Sequence, residues 1–409
     1  MDWETLFASR SMRMKASEIR ELLKLLDQPD IISFAGGIPD PALFPSQDFA
    51  KAYEQIFASG EAAVGLQYSV SEGYLPLRRW LVKEMARIGI VCGPDNIVIT
   101  SGSQQGLDYL GKLLLSPRDT ALVTWPTYLG ALGAFNAYEP SYDRLSPMGN
   151  RAAESYRAQA RQAGGSVKFA YVSADFANPT GETMDAEARS RLLDLARELD
   201  IAVLEDGAYQ ALRYDGEAKA PLLAMDIARS GDIEKTRTIY LGSFSKTLAP
   251  GLRIGWIVAA SPVIRKLVLL KQAADLHSST INQMVIHKVA EAGFDRQVAK
   301  IHAVYHKRRD AMLQSLARNM PKGVSWTKPE GGMFVWVTLP ENLDGAALLA
   351  RSLESERVAF VPGKAFFADG SNANTLRLSF SCPDEATIEE GISRLGRLIA
   401  REIAAAGEN

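Results

Sequence analysis

Between about residue 95 and residue 260 the chain carries six short runs, NIVIT, TALVT, VKFAYV, IAVLE, TIYLG and IGWIVA, separated by longer helix-like segments. Each run is rich in β-branched residues and nearly continuous in apolar character rather than alternating. A strand with one face in water alternates; a strand covered on both faces does not. Helices must therefore flank the sheet on both sides, which predicts an α/β architecture with a mostly parallel sheet. Towards the C-terminus the pattern changes. MFVWVTL, VAFVPG and LRLSFS lie close together with one short helical stretch among them, predicting a second, smaller α+β unit. Between the two regions FDRQVAKIHAVYHKRRDAML places Val298, Ile301, Tyr305 and Met312 on one helical face, as a linking helix would.

The N-terminal SEIRELLKLL reads as a short amphipathic helix. SFAGGIPDPALFP after it is no regular element, because its prolines lack donors while its glycines permit unusual dihedrals. It is either a linker or a loop shaped around a ligand. At 409 residues, two or three domains are expected. A formal net charge of -2 without long runs of one sign leaves no electrostatic footprint for nucleic acid or a membrane surface. Cys92 and Cys382 stand far apart and outside any CxxC, so neither a disulfide framework nor a thiolate metal site is expected. No stretch approaches the roughly 20 apolar residues that span a bilayer, and the start lacks the apolar core of a signal peptide. The expectation is a cytoplasmic protein whose partners are small molecules.

In an open parallel sheet, ligands bind beyond the carboxyl ends of the strands. NIVIT is followed by SGSQQG and a helical run, so Ser103 and Gln104 fall at a helix N-terminus, where free amides attract an anion. TALVT leads to Tyr128, VKFAYV to Asn178, IAVLE to Asp206 and Tyr209, and TIYLG to Ser243, Ser245 and Lys246 with Arg253 beyond. Singly, each has an ordinary reading: a helix cap, a core ring, a turn amide, a solvated lysine. Together they match one kind of molecule, an aromatic ring bearing a phosphate, a basic nitrogen and a carbonyl. The phosphate would sit on the helix N-terminus with Ser243, Ser245 and Arg253, and the ring against Tyr128. Asp206 would keep the ring nitrogen protonated, and Lys246 would form a Schiff base with the aldehyde. That molecule is pyridoxal 5'-phosphate (PLP). Nucleotide binding fits less well, since Lys246 lacks the glycine of GxxxxGK[ST] and no GxGxxG follows a strand. His302 and His306 have a metal spacing but no third ligand, and no metal is expected.

With these residues assembled, the chain resembles fold type I PLP-dependent aminotransferases of class I/II, closest to the 2-aminoadipate and kynurenine aminotransferase branch. The ordered blocks SFAGGIPDPALFP, LQYSVSEGYLPLR, SGSQQGLD, NPTG, SFSKTLAPGLRIGW, GGMFVW, VPGKAFF and LRLSFS carry the resemblance over roughly residues 15 to 400. It implies a large domain (46–300) with a mostly parallel seven-stranded sheet, a small C-terminal domain (301–409), and an N-terminal helix and loop (1–45) serving the small domain and the site. By the same resemblance Lys246 is the catalytic lysine and Asp206 the pyridine-nitrogen partner, with Asn178 and Tyr209 on the ring hydroxyl. Ser103, Gln104, Ser243 and Arg253 hold the phosphate, and Arg377 grips the substrate α-carboxylate with its planar fork. Tyr68 reaches the phosphate of a neighbouring subunit, making a homodimer. Gly37 lies against the substrate, and Arg20 matches a position that contacts its side chain. Gly207 and Ala208, and the aspartate before Phe176, depart from the pattern.

The implied reaction is ping-pong transfer of an amino group from an L-amino acid of 2-aminoadipate, branched-chain or aromatic type to a 2-oxo acid, 2-oxoglutarate first among them. The alternative is a PLP lyase or decarboxylase on the same fold, against which the Arg377 clamp argues. A PLP-sensing regulator would need a DNA-binding domain ahead of the first matched block, for which too few residues are present.

Overall fold

The computed structural model describes residues 3–14, 30–146 and 149–407. The helix expected around SEIRELLKLL, and Arg20 with it, lie outside the described residues. A two-residue strand, β1 (Ile32–Ser33), comes first. Seven strands follow: β2 (Ile97–Thr100), β3 (Thr120–Thr124), β4 (Ser141–Leu145), β5 (Val167–Val172), β6 (Ala202–Asp206), β7 (Thr238–Ser243) and β8 (Gly255–Val258). The C-terminal part supplies β9 (Ser325–Trp326), β10 (Phe334–Thr338), β11 (Val358–Ala359), β12 (Val361–Pro362) and β13 (Thr375–Ser379).

Strands β2 to β8 form one sheet in the order β2-β8-β7-β6-β5-β3-β4. Every pair is parallel except those of β8, which runs against both β2 and β7. The six apolar runs are all strands, and the expected mostly parallel seven-stranded sheet is present. The seventh strand, β4, has the sequence SYDRL. It lies at the sheet edge, where a polar sequence is stable because one side faces water.

Neighbouring residues of one strand enter different cores, as the pleat requires. Ile97 and Ile99 pack on one face with Leu77, Leu81 and Met284, whereas Val98 packs on the other with Leu107, Leu110 and Leu267. Each fully buried side chain of this size contributes about 1.5–3 kcal/mol of transfer free energy. That two-sided burial explains the unbroken apolar runs.

The C-terminal strands form an antiparallel sheet in the order β12-β13-β10-β9, while β1 pairs in parallel with β11. Through this pairing, and through Ser379 N–H donating to Phe34 O at 2.8 Å, the segment after residue 30 is built into the C-terminal unit. One helix, Thr280–Asn319, runs from the large sheet into the C-terminal unit, with non-helical dihedrals at Gly293 (φ -174, ψ 30). Before Gly293 it buries Met284, Val285, Ile286 and Val289 against the large sheet. Beyond it, Ile301, Tyr305, Met312 and Leu316 join the C-terminal core, while Val298 is half-buried. Residues 300 and 301 both lie within this helix.

Candidate active site

Strands β2, β3, β5, β6 and β7 point the same way, so their carboxyl ends share one rim. After β2 a helix starts at Ser103, presenting its unpaired amides there. Tyr128 is the residue before the helix Leu129–Asn136. After β7 comes a 3-10 turn, Phe244–Lys246, fixed by Ser243: its Oγ accepts from Ser245 N–H at 3.0 Å and donates to Ser245 Oγ at 2.8 Å. Arg253, at φ 58, folds back so that Nη1 donates to Pro250 O at 3.2 Å and Nη2 to Ser101 O at 3.2 Å. Gln104 Nε2 donates to Gly130 O at 2.6 Å. These contacts gather one cavity of about 150 Å³, lined by Ser103, Gln104, Tyr128, Asn178, Asp206, Tyr209, Ser243, Ser245, Lys246 and Arg253, together with Tyr171, Ser173, Ala208 and Pro250.

Lys246 Nζ donates to Gly37 O at 3.0 Å and lies 5.7 Å from the centroid of the Tyr209 ring. Desolvation, then the positive charges of Arg377 and Arg253, lower its pKa from 10.5 to about 8, against the attraction of Asp206. A neutral amine is the nucleophilic form. The rate at which the cofactor-free protein captures an aromatic aldehyde at Lys246 should therefore rise with pH and level off just above about 8. A stopped-flow absorbance series would check this; a rate still climbing at about pH 10 would mean an ordinary lysine. By linkage, the cofactor-free fold gains stability as pH rises from about 8 to about 10.5, because over that interval the unfolded chain binds more protons than the folded one.

Asp206 is 5% exposed at the end of β6. Its Oδ2 accepts from Tyr171 Oη at 2.8 Å and its Oδ1 from Ala208 N–H at 3.2 Å. Burial raises its pKa, while Tyr171, Ala208 and Lys246 oppose the rise. Arg377, on β13, is 1% exposed. Nη1 donates to Asn178 Oδ1 at 2.9 Å and Nη2 to Ala35 O at 2.9 Å, and its guanidinium lies 4.3 Å from the centroid of the Phe334 ring. Desolvation lowers its pKa to about 10, and its buried Nε has no partner. The guanidinium is thus a buried cation with one N–H left over, and it lies outside the lining of the cavity. A Cβ on Gly37 would come 3.1 Å from the Phe334 ring and 3.4 Å from Arg377 Nη2, so a glycine leaves room beside the guanidinium. Tyr209 Oη bonds the Asn178 side chain, and burial pushes its phenol pKa up.

Of the remaining expected residues, Tyr68 is 80% exposed, edge-on to His277, and does not line the cavity. Both departures have physical causes. A Cβ at Gly207 would meet Tyr240 Oη at 2.3 Å, and the neighbouring Ala208 gives its amide to Asp206. Asp175 is a buried partner of Arg189 (2.9 Å) and Arg213 (3.2 Å), outside the cavity. Tyr171, Ser173 and Pro250 are cavity residues beyond the expected set. Only strand register could have revealed Tyr171. Among the described residues no group of three His, Cys, Asp or Glu could hold a metal ion; His302 Nε2 bonds Ala211 O, and His306 lies between Asp215 and Asp310.

The cavity thus brings helix amides, serine hydroxyls and the Arg253 guanidinium together with the Asp206 carboxylate and the Lys246 amine. A family model for aminotransferase class I and II matches residues 29–395. The aromatic-amino-acid aminotransferase 1 of Thermococcus litoralis is 44% identical, over 98% of this chain and 96% of its own. The 2-aminoadipate transaminase of Thermus thermophilus is 42% identical, over 98% of each. Among solved structures, the kynurenine aminotransferase of Pyrococcus horikoshii, in complex with PMP, superposes with a TM-score of 0.90 at 43% identity, covering 98% of each chain. The α-aminoadipate aminotransferase of Thermus thermophilus, complexed with N-(5'-phosphopyridoxyl)-L-leucine, gives 0.88 at 40% identity, covering 99% of this chain and 100% of that one.

Proposed function

This chain belongs to the class I and II aminotransferases and is a PLP-dependent enzyme, and from that premise we propose that it moves the amino group of an L-amino acid of 2-aminoadipate, branched-chain or aromatic type to 2-oxoglutarate. The observation that carries the reading is the cavity itself, in which Lys246, with its pKa lowered to about 8, shares one space with Asp206 and the phosphate-type donors.

When bound, PLP supplies an aldehyde carbon and an electron-withdrawing ring. Ser103, Gln104, Ser243, Ser245 and Arg253 would bind its phosphate, Tyr128 would flank the ring, Asn178 and Tyr209 would orient the ring hydroxyl, and Asp206 would hold the proton at the ring nitrogen. Arg377 binds the donor's α-carboxylate bidentately, with Gly37 leaving space beside it. Lys246 Nζ lines the cavity with its pKa lowered to about 8, and in its neutral form it takes the proton from the donor's α-carbon. The clamp retains the carboxylate that a decarboxylase would expel, which favours transfer.

Tyr68 acts on the phosphate held by the partner subunit, making each site a product of two copies. Exposed Val64 (58%), Leu66 (69%), Tyr68 (80%) and Val70 (56%) form an apolar strip suited to a second copy. Among the described residues no helix is long and apolar enough to cross a membrane. The cytoplasmic setting, the division into 1–45, 46–300 and 301–409, and a contact from Arg20 to the substrate side chain belong to the same proposal.

The test is the visible spectrum of the PLP-loaded protein on adding single L-amino acids: 2-aminoadipate, glutamate, leucine, phenylalanine and kynurenine. At least one is expected to bleach the cofactor's yellow band within seconds, and 2-oxoglutarate is expected to restore it. A band that no donor bleaches would overturn the transfer reading, and ammonia or carbon dioxide release would then be sought.

A further inference from the structure

We propose that Tyr171 is a positioning residue: its phenol holds Asp206 charged and correctly turned, so that Asp206 keeps the proton on the cofactor's ring nitrogen. The inference rests on the role given to Asp206 above. Tyr171 lies in β5 and pairs with Leu204 of β6. Asp206 is two residues beyond Leu204, on the same face of the sheet. The phenol therefore reaches across one strand spacing and donates to Oδ2 at 2.8 Å. The carboxylate's other oxygen takes the Ala208 amide at 3.2 Å, and this donor comes from the loop after β6. Two donors from different elements fix the plane of the carboxylate, and each oxygen keeps a lone pair free for a further donor.

The ordinary reading is that Tyr171 is core. It is 1% exposed and packs edge-on against Phe135 with centroids 5.8 Å apart. Its ring does fill that core, but a phenylalanine would fill it as well. Only the hydroxyl touches Asp206, and a buried hydroxyl with a carboxylate partner favours the charged form of that partner. In a pocket that otherwise pushes Asp206 towards its neutral form, a carboxyl that kept its own proton could not hold a second one on the ring. The phenol separates those two states.

Tyr171→Phe removes the donor and keeps the ring. The holoenzyme, loaded with PLP labelled with ¹⁵N in the ring, would be followed by ¹⁵N NMR across pH in the wild type, Tyr171→Phe and Asp206→Asn. The ring-nitrogen signal in Tyr171→Phe is expected to move towards the unprotonated position, with kcat down about tenfold to a hundredfold and the donor KM nearly unchanged. A second readout needs no cofactor: the Asp206 carboxyl ¹³C signal of the cofactor-free protein should titrate at higher pH in Tyr171→Phe than in the wild type. If Asp206→Asn moves the ¹⁵N signal and Tyr171→Phe does not, the inference about Tyr171 falls alone. If neither moves it, the role of Asp206 falls and takes this inference with it.

Discussion

Replacing Lys246 with alanine is expected to lower turnover at least about 10⁴-fold while the protein stays folded and still takes up PLP. The variant loses the amine that meets the cofactor and the base that moves the substrate proton, and general acid–base catalysis alone accounts for about 10²–10⁴-fold. Folding is spared because Lys246 is a poor contributor to stability. Its charge is desolvated beside Arg377 and Arg253, and its one hydrogen bond, to Gly37 O, is replaceable by water. Cofactor uptake persists because the phosphate donors and Asp206 do not involve the lysine side chain. Steady-state rates, the melting temperature and the absorption of dialysed protein decide the matter together. Turnover within tenfold of the wild type would remove Lys246 from the chemistry.

Asp206→Asn should follow closely, with turnover falling about 10²- to 10⁴-fold, in line with the loss of one partner from a buried charge pair. The two residues have nearly the same shape, so the effect isolates the charge. The cofactor-free protein should respond in the opposite sense. Burial raises the Asp206 pKa above its ordinary value, so below that value the group has no effect, and stability declines as pH climbs through the raised one. An asparagine carries no such cost, and at neutral pH the variant is expected to melt at the same temperature as the wild type or slightly higher. Activity and thermal melts on the same preparations check both halves. A variant that melts far below the wild type would make Asp206 a structural residue.

The two-sided sheet was legible because double burial writes itself as continuous apolar runs, and Lys246, Asp206, Asn178 and the SGSQQG amides were legible because each lies in the segment that follows such a run. Local chain direction was enough to place them. β4 was not legible: at the sheet edge, with Asp143 and Arg144 in its five residues, it carries none of that signal. Tyr171 was hidden for the converse reason, since within VKFAYV it reads as one more apolar strand residue. Its function depends on which residue of β6 lies alongside, which is long-range information. Gly207 looked like an anomaly until Tyr240 was seen to occupy the space a side chain would need.

Lys246 and Arg377 belong to different bodies, one on the rim of strand ends of the large sheet and the other within the C-terminal sheet, and a helix that runs between those bodies has non-helical dihedrals at Gly293. The two bodies also meet directly at the site, where Arg377 Nη1 donates to Asn178 Oδ1 at 2.9 Å and Lys246 Nζ donates to Gly37 O at 3.0 Å. The spacing between the amine and the guanidinium is therefore pinned by side-chain bonds at the site itself and not by the linking helix alone.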